Sequence, residues 1–384
     1  MWYNVYCDLE VRGDIVKLIE LEKYRDKDNG RIDIDAFLKE NSVSKITELR
    51  GASNKEKDWL KLDDTDVLIR TENLDSEGAI YTTYAELIFE ELAKQVDIPC
   101  AHYDLVKYKC KNGVLSQNVI NENESLVLMN DLLNCSKREH DIGDDQNIHV
   151  EDAINAFHTF YEEYNDFSKE DFKKMSNDFI NMTIFDIYTM STDRHAENMG
   201  IIFSVEGNKS SARLAPMFDN ECSLMLDSPE EKIDKLLKNR MSLLSYVELE
   251  NQKIYYTEDY ENDTYENKDF NDLLDNMLKQ NGLDTREMTD WQTTIYNISE
   301  LGENQMNFIK KCDKNLNIDE ALKNVEERIG VKLPEELCKF VSATFTARKL
   351  LINEELMLYK SDEERTNTKD NKGERANEDN YILG

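Results

Sequence analysis

The sequence lacks paired cysteines, which argues against a structural zinc site. Its seven cysteines are scattered singly over 384 residues, without a Cys-x-x-Cys pair and without a Cys/His spacing typical of metal ligands. An odd number of isolated cysteines in a long chain is typical of reduced thiols in a cytosol.

Long apolar runs are absent as well. No run approaches the ~20 residues that a membrane-spanning helix needs. Residues 1–8 contain neither the basic region nor the apolar region of a secretory signal. These features predict a soluble, cytoplasmic protein that has no membrane partner.

Basic residues are few relative to acidic ones. The chain has 47 Lys and Arg against 80 Asp and Glu, and its formal net charge is −33. Duplex nucleic acid is a poor candidate for a direct partner, because phosphate binding needs a positive surface, unless a local basic patch provides one. A solvated surface explains the charge without a specific steering role.

Apolar patterns divide the chain into a strand-rich half and a helical half. Short strands are predicted at 58–62, 66–71, 103–108 and 125–129, together with a helix at 84–96 that ends before Pro99. Helical periodicity dominates from about residue 150, and two short strands are predicted at 199–203 and 214–218, around a turn at 207–208. Further helical patterns begin near residues 230, 271, 286, 318 and 334.

These patterns define the predicted domains. With 40% hydrophobic residues, the chain can build a large core, as one bilobal domain or as two small ones. We predict a first lobe over residues 1–130 and a helical lobe over 131–360, with a site in the cleft between them. Residues 246–270 are predicted to form an insertion or long loop, and 361–384 a disordered tail.

Asp193, Asn198 and Asp219 are the main candidates for a catalytic site. A loop carboxylate can accept the proton of an attacking hydroxyl, while an amide oxygen and a second carboxylate suit Mg²⁺. Four residues separate Asp193 from Asn198, as in a kinase catalytic loop. Alone, Asp193 is explained equally by a helix cap and Asn198 by a turn, but the three together favour a phosphoryl-transfer site.

Neighbouring residues in these segments have two interpretations each. His195 is either a third catalytic group or a residue that orders the loop through a hydrogen bond. Arg194 pairs with a carboxylate or phosphate, or it is an ordinary surface residue. Glu221 follows Asp219 by two residues, and we expect it not to bind the metal, since extended spacing puts it 6–7 Å away, by the ~3.3 Å rise per residue.

The first lobe offers candidates for binding a nucleotide. Gly51 and Ser53 lie in a small-residue turn whose backbone N–H groups could contact phosphate, although one glycine alone is a weak signal. Arg70 ends a strand and could reach the phosphates while pairing with Glu86. The alternative is that Arg70 is an ordinary surface residue and Glu86 an ordinary helix residue. Backbone groups near Met129 and Asn130 could form hydrogen bonds to an adenine edge. The alternative is that these residues simply end a buried strand of the core.

Taken together, these motifs resemble those of the HipA-like protein kinases. The resemblance covers roughly residues 45–225. It is carried by Asp193-Arg194-His195, Asn198 and Gly200, by Ala215-Pro216-Met217-Phe218-Asp219, and by Gly51-Ala52-Ser53, Lys55, Trp59, Arg70 and Ala85-Glu86-Leu87.

The resemblance implies an α+β, bilobal protein-kinase-like fold with a β-rich first lobe and an all-helical second lobe. It implies a serine/threonine protein kinase that uses ATP and Mg²⁺, with Asp193 as the base and Asn198 and Asp219 as metal ligands. It also implies that Glu86 pairs with a nucleotide-binding cation and that Ser53 is a candidate for autophosphorylation. A toxin role with an antitoxin-like protein partner is suggested by the family alone.

One position departs from the family pattern. Relatives usually carry Lys where this chain has Arg70, and a planar guanidinium is not equivalent to an ammonium group. Lys61 or another cation is a candidate substitute. The departure keeps open the alternative of a pseudokinase that acts as a nucleotide-binding regulatory or interaction module. The Asp-Arg-His and Asn motif followed by a second Asp also resembles that of phosphoinositide kinases. The absence of a basic membrane-facing patch favours a protein substrate over a lipid one.

Overall fold

A computed structural model provides the structure of the chain. It describes residues 21–41, 43–46, 57–62, 65–71, 81–121, 123–136, 148–163, 169–206, 209–250, 254–255 and 290–379. Within these residues, no helix combines the length and apolar character that crossing a membrane requires.

The first lobe is built on a six-stranded sheet with the order β1-β5-β6-β4-β3-β2. Its strands are β1 (Ile32–Asp33), β2 (Ser44–Ile46), β3 (Lys57–Leu62), β4 (Thr65–Thr71), β5 (Tyr103–Tyr108) and β6 (Lys111–Gln117). The β3–β4 and β5–β6 pairs are antiparallel hairpins, and β4 pairs with β6, so the two hairpins form one sheet. Helix α1 (Ile34–Glu40) begins at Asp33, whose side chain caps the N–H of Ala36 at 2.8 Å.

Alternation along the strands separates two cores. Val67 and Ile69 of β4 pack with α1 in a small core on one face of the sheet. On the other face, Tyr103 and Leu105 of β5 join the main core, which continues into the helical lobe. Arg70 follows Ile69 by one residue and therefore points toward the second face.

Helix α2 (Thr82–Gln95) lies between this sheet and the helical lobe. Most of its residues are buried, including Glu86, Glu90 and Glu91, because the sheet packs on one side and helices pack on the other. Buried carboxylates need charged or hydrogen-bonding partners. Those partners come from other elements: Arg70 binds Glu86, while Arg328 of the helical lobe contacts Glu90 and Glu91.

Strand β7 (Glu124–Leu128) does not join the first sheet. It pairs with β9 (Gly200–Glu206), which pairs in turn with β10 (Lys209–Leu214). A residue range predicted as first lobe therefore contributes a strand to the second lobe. A two-stranded pair joins β8 (Ile148–His149) to β11 (Ile254–Tyr255).

The second lobe is mainly helical in its described residues. Its helices are α3 (Met129–Cys135), α4 (Val150–Glu163), α5 (Lys169–Thr189), α6 (Glu230–Lys238), α7 (Arg240–Leu249), α8 (Asp290–Glu300), α9 (Glu303–Asn315), α10 (Ile318–Ile329) and α11 (Glu335–Asp379). α5 has Phe179, Ile184 and Phe185 fully buried, so it is a central helix of this lobe. α10 ends at Gly330, whose φ of +76° is typical of a helix C-terminus.

The predicted strands at 58–62, 66–71 and 103–108 are confirmed, as are the helices at 84–96 and near 318 and 334. The strand predicted at 214–218 is wrong, because β10 ends at Leu214 and residues after it form a loop with only a single bridge from Met217 to Cys100. The turn at 207–208, the helix near 271 and most of the 246–270 insertion lie outside the described residues.

The disorder predicted for residues 361–384 stays a prediction, while the structure describes helical backbone as far as Asp379. The backbone of α11 stays helical from Glu335 to Asp379, through most of the 361–384 range. This segment contains no proline and many Lys, Glu and Arg residues, which are good helix formers. The helix therefore continues beyond its apolar part, where sequence polarity alone predicts disorder.

Candidate active site

The loop between α5 and β9 holds Asp193 and Asn198 together. α5 ends at Thr189, and the backbone then turns through Met190, whose φ is +50°. The carbonyl oxygen of Asp193 accepts the N–H of His195 at 2.9 Å and the side-chain Nδ2 of Asn198 at 2.8 Å. Two of the predicted site residues are thus joined directly within one tight loop.

Arg194 joins this loop to the segment around Asp219. Its Nη1 donates to the carbonyl oxygens of Asn198 at 3.3 Å and Phe218 at 2.7 Å, and its Nη2 donates to Oδ1 of Asn220 at 2.5 Å. Its Nε and Nη2 also bind the two oxygens of Asp186 on α5 at 3.1 and 3.3 Å. The pairing of Arg194 with a carboxylate, one of the two sequence interpretations, is confirmed.

This arginine is charged although it is buried. Arg194 is 1% exposed and Asp186 is fully buried. Burial disfavours the charged guanidinium, but the attraction of Asp186 outweighs burial, so the pKa of Arg194 lies above its ordinary value. The two loops are therefore connected by a permanent buried cation.

Main-chain hydrogen bonds hold the same two loops side by side. The N–H of Thr192 donates to the carbonyl of Cys222 at 3.1 Å, and the N–H of Leu224 donates to the carbonyl of Thr189 at 2.8 Å. These bonds flank the contacts of Arg194, so the relative position of the loops is fixed at several points.

Asp219 has an unusual backbone conformation supported by Tyr103. The φ of Asp219 is +57°, in the left-handed region that Asp tolerates better than most residues. Its N–H donates to the phenolic oxygen of Tyr103 at 3.1 Å, and the side-chain amide of Asn220 donates to the same oxygen at 3.0 Å. Burial raises the pKa of Tyr103 well above its usual value, so the phenol stays neutral. β5 of the first lobe thereby positions Asp219.

Arg70 provides a second connection between the lobes. Its Nη2 donates to Oε1 of Glu86 and its Nη1 donates to Oδ1 of Asp219. The other carboxylate oxygen of Glu86 accepts the N–H of Asn220 at 2.9 Å. Glu86 is fully buried and Arg70 is 5% exposed. The predicted pairing of Arg70 with Glu86 is confirmed, and the sequence did not indicate the contact with Asp219.

Asp193 and His195 differ in their surroundings. The Asp193 side chain is 43% exposed, so an incoming hydroxyl can reach its carboxylate. Nδ1 of His195 accepts the N–H of Glu197 at 3.2 Å, which assigns the proton of a neutral ring to Nε2, 3.9 Å from Oδ2 of Asp193. His195 thus orders the loop; a catalytic role for it stays a prediction.

The other first-lobe candidates are less well placed or not described. The N–H of Met129 donates to the carbonyl of Met199 at 2.9 Å, and the N–H of Asn130 donates to the carbonyl of Ala196 at 3.1 Å. An adenine edge would have to replace those bonds, and adenine binding there stays a prediction. Gly51 and Ser53, with the turn predicted to contact phosphate, lie outside the described residues.

Asn198 and Asp219 carry the types of oxygen donor that Mg²⁺ prefers, an amide and a carboxylate. Because Nδ2 of Asn198 binds the Asp193 carbonyl, its Oδ1 is oriented away from that bond, and no hydrogen bond reaches Oδ1 from the described residues. Asp219 supplies a carboxylate. Magnesium prefers oxygen ligands and often takes only one or two from protein, with the remainder from water and phosphate. Among the described residues, no group of three or more His, Cys, Asp or Glu side chains is arranged to hold a metal.

Several residues of the site were not predicted from the sequence. They are Lys57, Tyr103, Asp186 and Asn220. The sequence does contain a hint of the role of Asp186, because this residue is an isolated acid within the apolar stretch at 184–188. A carboxylate that is buried there needs a charged or hydrogen-bonding partner. Tyr103 and Lys57 gave no comparable signal, since both read as ordinary strand residues.

The sheet-based lobe and the helical lobe together form a bilobal, kinase-like fold. The crystal structure of the proinflammatory kinase CtkA from Helicobacter pylori matches this chain with a TM-score of 0.58 and 14% sequence identity, over 85% of this chain and 96% of CtkA. HipA of Shewanella oneidensis, solved with HipB and its operator DNA, matches with a TM-score of 0.40 and 11% identity, over 84% of this chain and 70% of HipA. The kinase-like fold implied by the sequence resemblance to HipA-like kinases is confirmed. No family model and no curated protein matches the sequence.

Proposed function

We propose that this chain is a HipA-like serine/threonine protein kinase that transfers phosphate from ATP with the help of Mg²⁺. The observation that carries the proposal is the set of bonds from buried Arg194 to Asn198 and to residues on both sides of Asp219. A single cation thereby ties the acid and amide loop to the second acid. Catalysis of phosphoryl transfer depends on position and charge, so a fixed spacing of these loops supports the proposal.

Each residue of the site has one role in this proposal. Asp193 accepts the proton of the substrate hydroxyl, since its carboxylate is accessible to solvent. Asn198 and Asp219 would hold the metal ion, which would supply positive charge next to the phosphate oxygens. Tyr103 positions Asp219 through its backbone N–H, and Arg70 aligns Glu86 with Asp219.

The proposed substrate is a serine or threonine hydroxyl of a protein. The net charge of −33 favours a neutral or basic target over an acidic one. Ser53 is a candidate for self-modification, on the strength of the sequence resemblance. Cytoplasmic location belongs to the same proposal.

A toxin role with an antitoxin-like partner rests on the sequence resemblance alone. Growth of a bacterial host that expresses the wild type or Asp193→Ala tests it. Slower growth only with the wild type supports toxicity in that host, and equal growth at equal protein levels argues against it.

A pseudokinase is the second candidate function, and one observation favours it. Asp219 already contacts two cations: it is bound by Arg70, and Nζ of Lys57 lies 3.7 Å from its Oδ2. A carboxylate held in this way binds a metal ion only if those contacts rearrange. A protein that binds nucleotide without this rearrangement would act as a binding module.

Thermal unfolding and turnover, measured together, separate the two functions. A kinase is stabilised by ATP with Mg²⁺ and also consumes ATP, whereas a pseudokinase is stabilised without consuming it. Asp193→Asn is the informative variant for a kinase, because it keeps nucleotide stabilisation and loses turnover. Absence of both stabilisation and turnover in the wild type would contradict both candidates.

A further inference from the structure

Arg70 is surrounded by carboxylates and has little capacity left for a nucleotide. Its two terminal nitrogens bind Glu86 and Asp219, and Oε2 of Glu221 lies 3.5 Å from Nη1. The side chain is 5% exposed. If Arg70 turned toward a phosphate, it would leave the fully buried Glu86 without its cation, which is unfavourable.

Lys57 lies beside Arg70 on the neighbouring strand. The two residues are directly opposite each other in the antiparallel β3–β4 register. Side chains of such cross-strand partners project from the same face of a sheet. Consistent with this, Nζ of Lys57 lies 3.7 Å from Oδ2 of Asp219, whose other oxygen binds Arg70. Both cations therefore face the same carboxylate from the first lobe.

The two cations differ in their exposure to solvent. The Lys57 side chain is 22% exposed, against 5% for Arg70, and Nζ of Lys57 lies 3.7 Å from Oδ2 of Asp219. An ammonium group on a flexible stem can reorient toward a phosphate, whereas a guanidinium that bridges two carboxylates is fixed by its planar geometry. Solvent can reach Lys57, and so can a ligand in the cleft.

We propose that Lys57 is the cation that contacts the nucleotide phosphates, and that Arg70 is a positioning residue that holds Glu86 and Asp219. This assignment rests on the proposed function, since it concerns the same cleft. In this assignment Arg70 stays with the two carboxylates, and the charge that meets phosphate comes from the adjacent strand. Lys57 would turn from Asp219 toward the phosphates when the nucleotide binds.

Lys61, the substitute cation suggested by the sequence, lies too far along the same strand to act beside Arg70 and therefore supplies a matched control. It is exposed and pairs in register with Asp66, at the end of β3 away from Arg70. Four residues of extended chain separate it from Lys57 by about 13 Å, at ~3.3 Å per residue. Removal of its charge changes the net charge of the protein equally, but does not change the cation next to Asp219.

The test is nucleotide affinity by isothermal titration calorimetry with Mg²⁺ present, for the wild type, Lys57→Gln, Lys57→Arg and Lys61→Gln. Each protein is titrated with ATP, ADP and adenosine. Lys57→Gln should raise the Kd for ATP by about tenfold or more, while Lys61→Gln should stay within about twofold, because charge-assisted bonds to phosphate are strong and an exposed distant charge contributes little. Lys57→Arg should recover part of the loss.

Adenosine distinguishes a phosphate contact from damage to the fold. It has no phosphate, so its Kd should stay within about twofold of the wild-type value in Lys57→Gln, given that the lost contact is a charge-assisted one. Equal loss for adenosine and ATP would overturn the assignment, and so would wild-type ATP affinity in Lys57→Gln. If the wild type bound no nucleotide, the proposed function itself would fail and the assignment with it.

Discussion

Nη2 of Arg194 lies 2.5 Å from Oδ1 of Asn220, and this bond joins the loop that follows α5 to the segment around Asp219. The same guanidinium binds Asp186 inside α5 and the carbonyl oxygens of Asn198 and Phe218. This buried side chain, together with the main-chain bonds from Thr192 to Cys222 and from Leu224 to Thr189, fixes the proposed catalytic loop beside the proposed metal-binding loop. The account of this protein as a kinase depends on that geometry.

Substitution of Arg194 by Met should lower the free energy of unfolding by about 3–5 kcal/mol, because Asp186 is left as an unpaired buried charge. Urea denaturation measures this. Arg213→Met is the matched control: Arg213 contacts Glu124 at 3.1 Å but is partly exposed, so the loss should be below about 1 kcal/mol. Similar losses in the two variants would contradict the role of Arg194.

The double variant Asp186→Leu with Arg194→Met separates stability from activity. Replacement of both members of a buried ion pair by apolar residues is often neutral, so most of the lost stability should return. Kinase activity should not return, because the bonds from Arg194 to Asn198, Phe218 and Asn220 are still missing in the double variant. Recovery of activity together with stability would show that the bridge is only structural.

Asp219 and Glu221 should respond differently to removal of their charge. Asp219→Asn should lower ATP turnover by roughly 100-fold or more, because a metal ligand contributes several kcal/mol to the transition state. Glu221→Gln should lower it by less than about tenfold, because Glu221 is not expected to bind the metal. Steady-state kinetics at saturating Mg²⁺ distinguishes them, and a larger loss for Glu221→Gln would contradict the assignment.

Glu90 should make stability depend on acid pH. Burial alone would raise its pKa, but Arg328, His102 and Lys94 outweigh burial and hold the pKa of Glu90 well below its usual value. The folded state then binds this proton less readily than the unfolded state. The contribution of ionised Glu90 to the free energy of unfolding is therefore fully present above the ordinary Glu pKa. It is lost as the pH falls toward the pKa of Glu90 in the folded state.

Glu90→Gln tests this dependence. The variant should be less stable than the wild type at pH 7 by about 3 kcal/mol, since it leaves Arg328 buried with a weaker partner. Urea denaturation between pH 7 and pH 4 measures the difference in free energy of unfolding between the wild type and the variant. This difference should begin to shrink only as the pH approaches 4. The assigned direction of the Glu90 pKa would be contradicted if this stability difference stayed constant, or grew, at pH values below 4.

Cysteine reactivity offers a test of the packing near the site. Cys100 accepts a long hydrogen bond from Asn220 at 3.6 Å, and burial raises the pKa of its thiol. Burial also raises the pKa of Cys312. Iodoacetamide at pH 8 should therefore modify exposed Cys110 and Cys135 well before these two, as read by peptide mass spectrometry. Early modification of Cys100 would show that the cleft is open there.

Local pattern predicted much of the fold. The strands at 58–62, 66–71 and 103–108 were identified because short apolar runs between polar turns reflect burial directly. The strand predicted at 214–218 is wrong because this apolar segment is a loop after β10, in which Met217 and Phe218 pack against the main core. Apolar character reports burial, not the backbone conformation that achieves it.

Prediction of the site was limited by contacts between distant segments. Asp193, Asn198 and Asp219 are predicted from the sequence because phosphoryl transfer uses their residue types at that spacing. Tyr103 supports Asp219 from a position 116 residues away in the chain, and no local pattern encodes such a bond. Lys57 was missed for the same reason, since only the β3–β4 register brings it next to Arg70.

Transfer of phosphate is the most direct test of the central claim. The wild type, Asp193→Ala and Asp219→Ala are first treated with phosphatase and then incubated with ATP and Mg²⁺, alone and with a basic serine-containing protein. Intact-mass and peptide mass spectrometry follow the added phosphate. The kinase account predicts that the wild type gains phosphate on itself or on the added protein, and that both variants lose this activity by more than about tenfold. No phosphate gain by the wild type, or comparable gain by all three proteins, would contradict it.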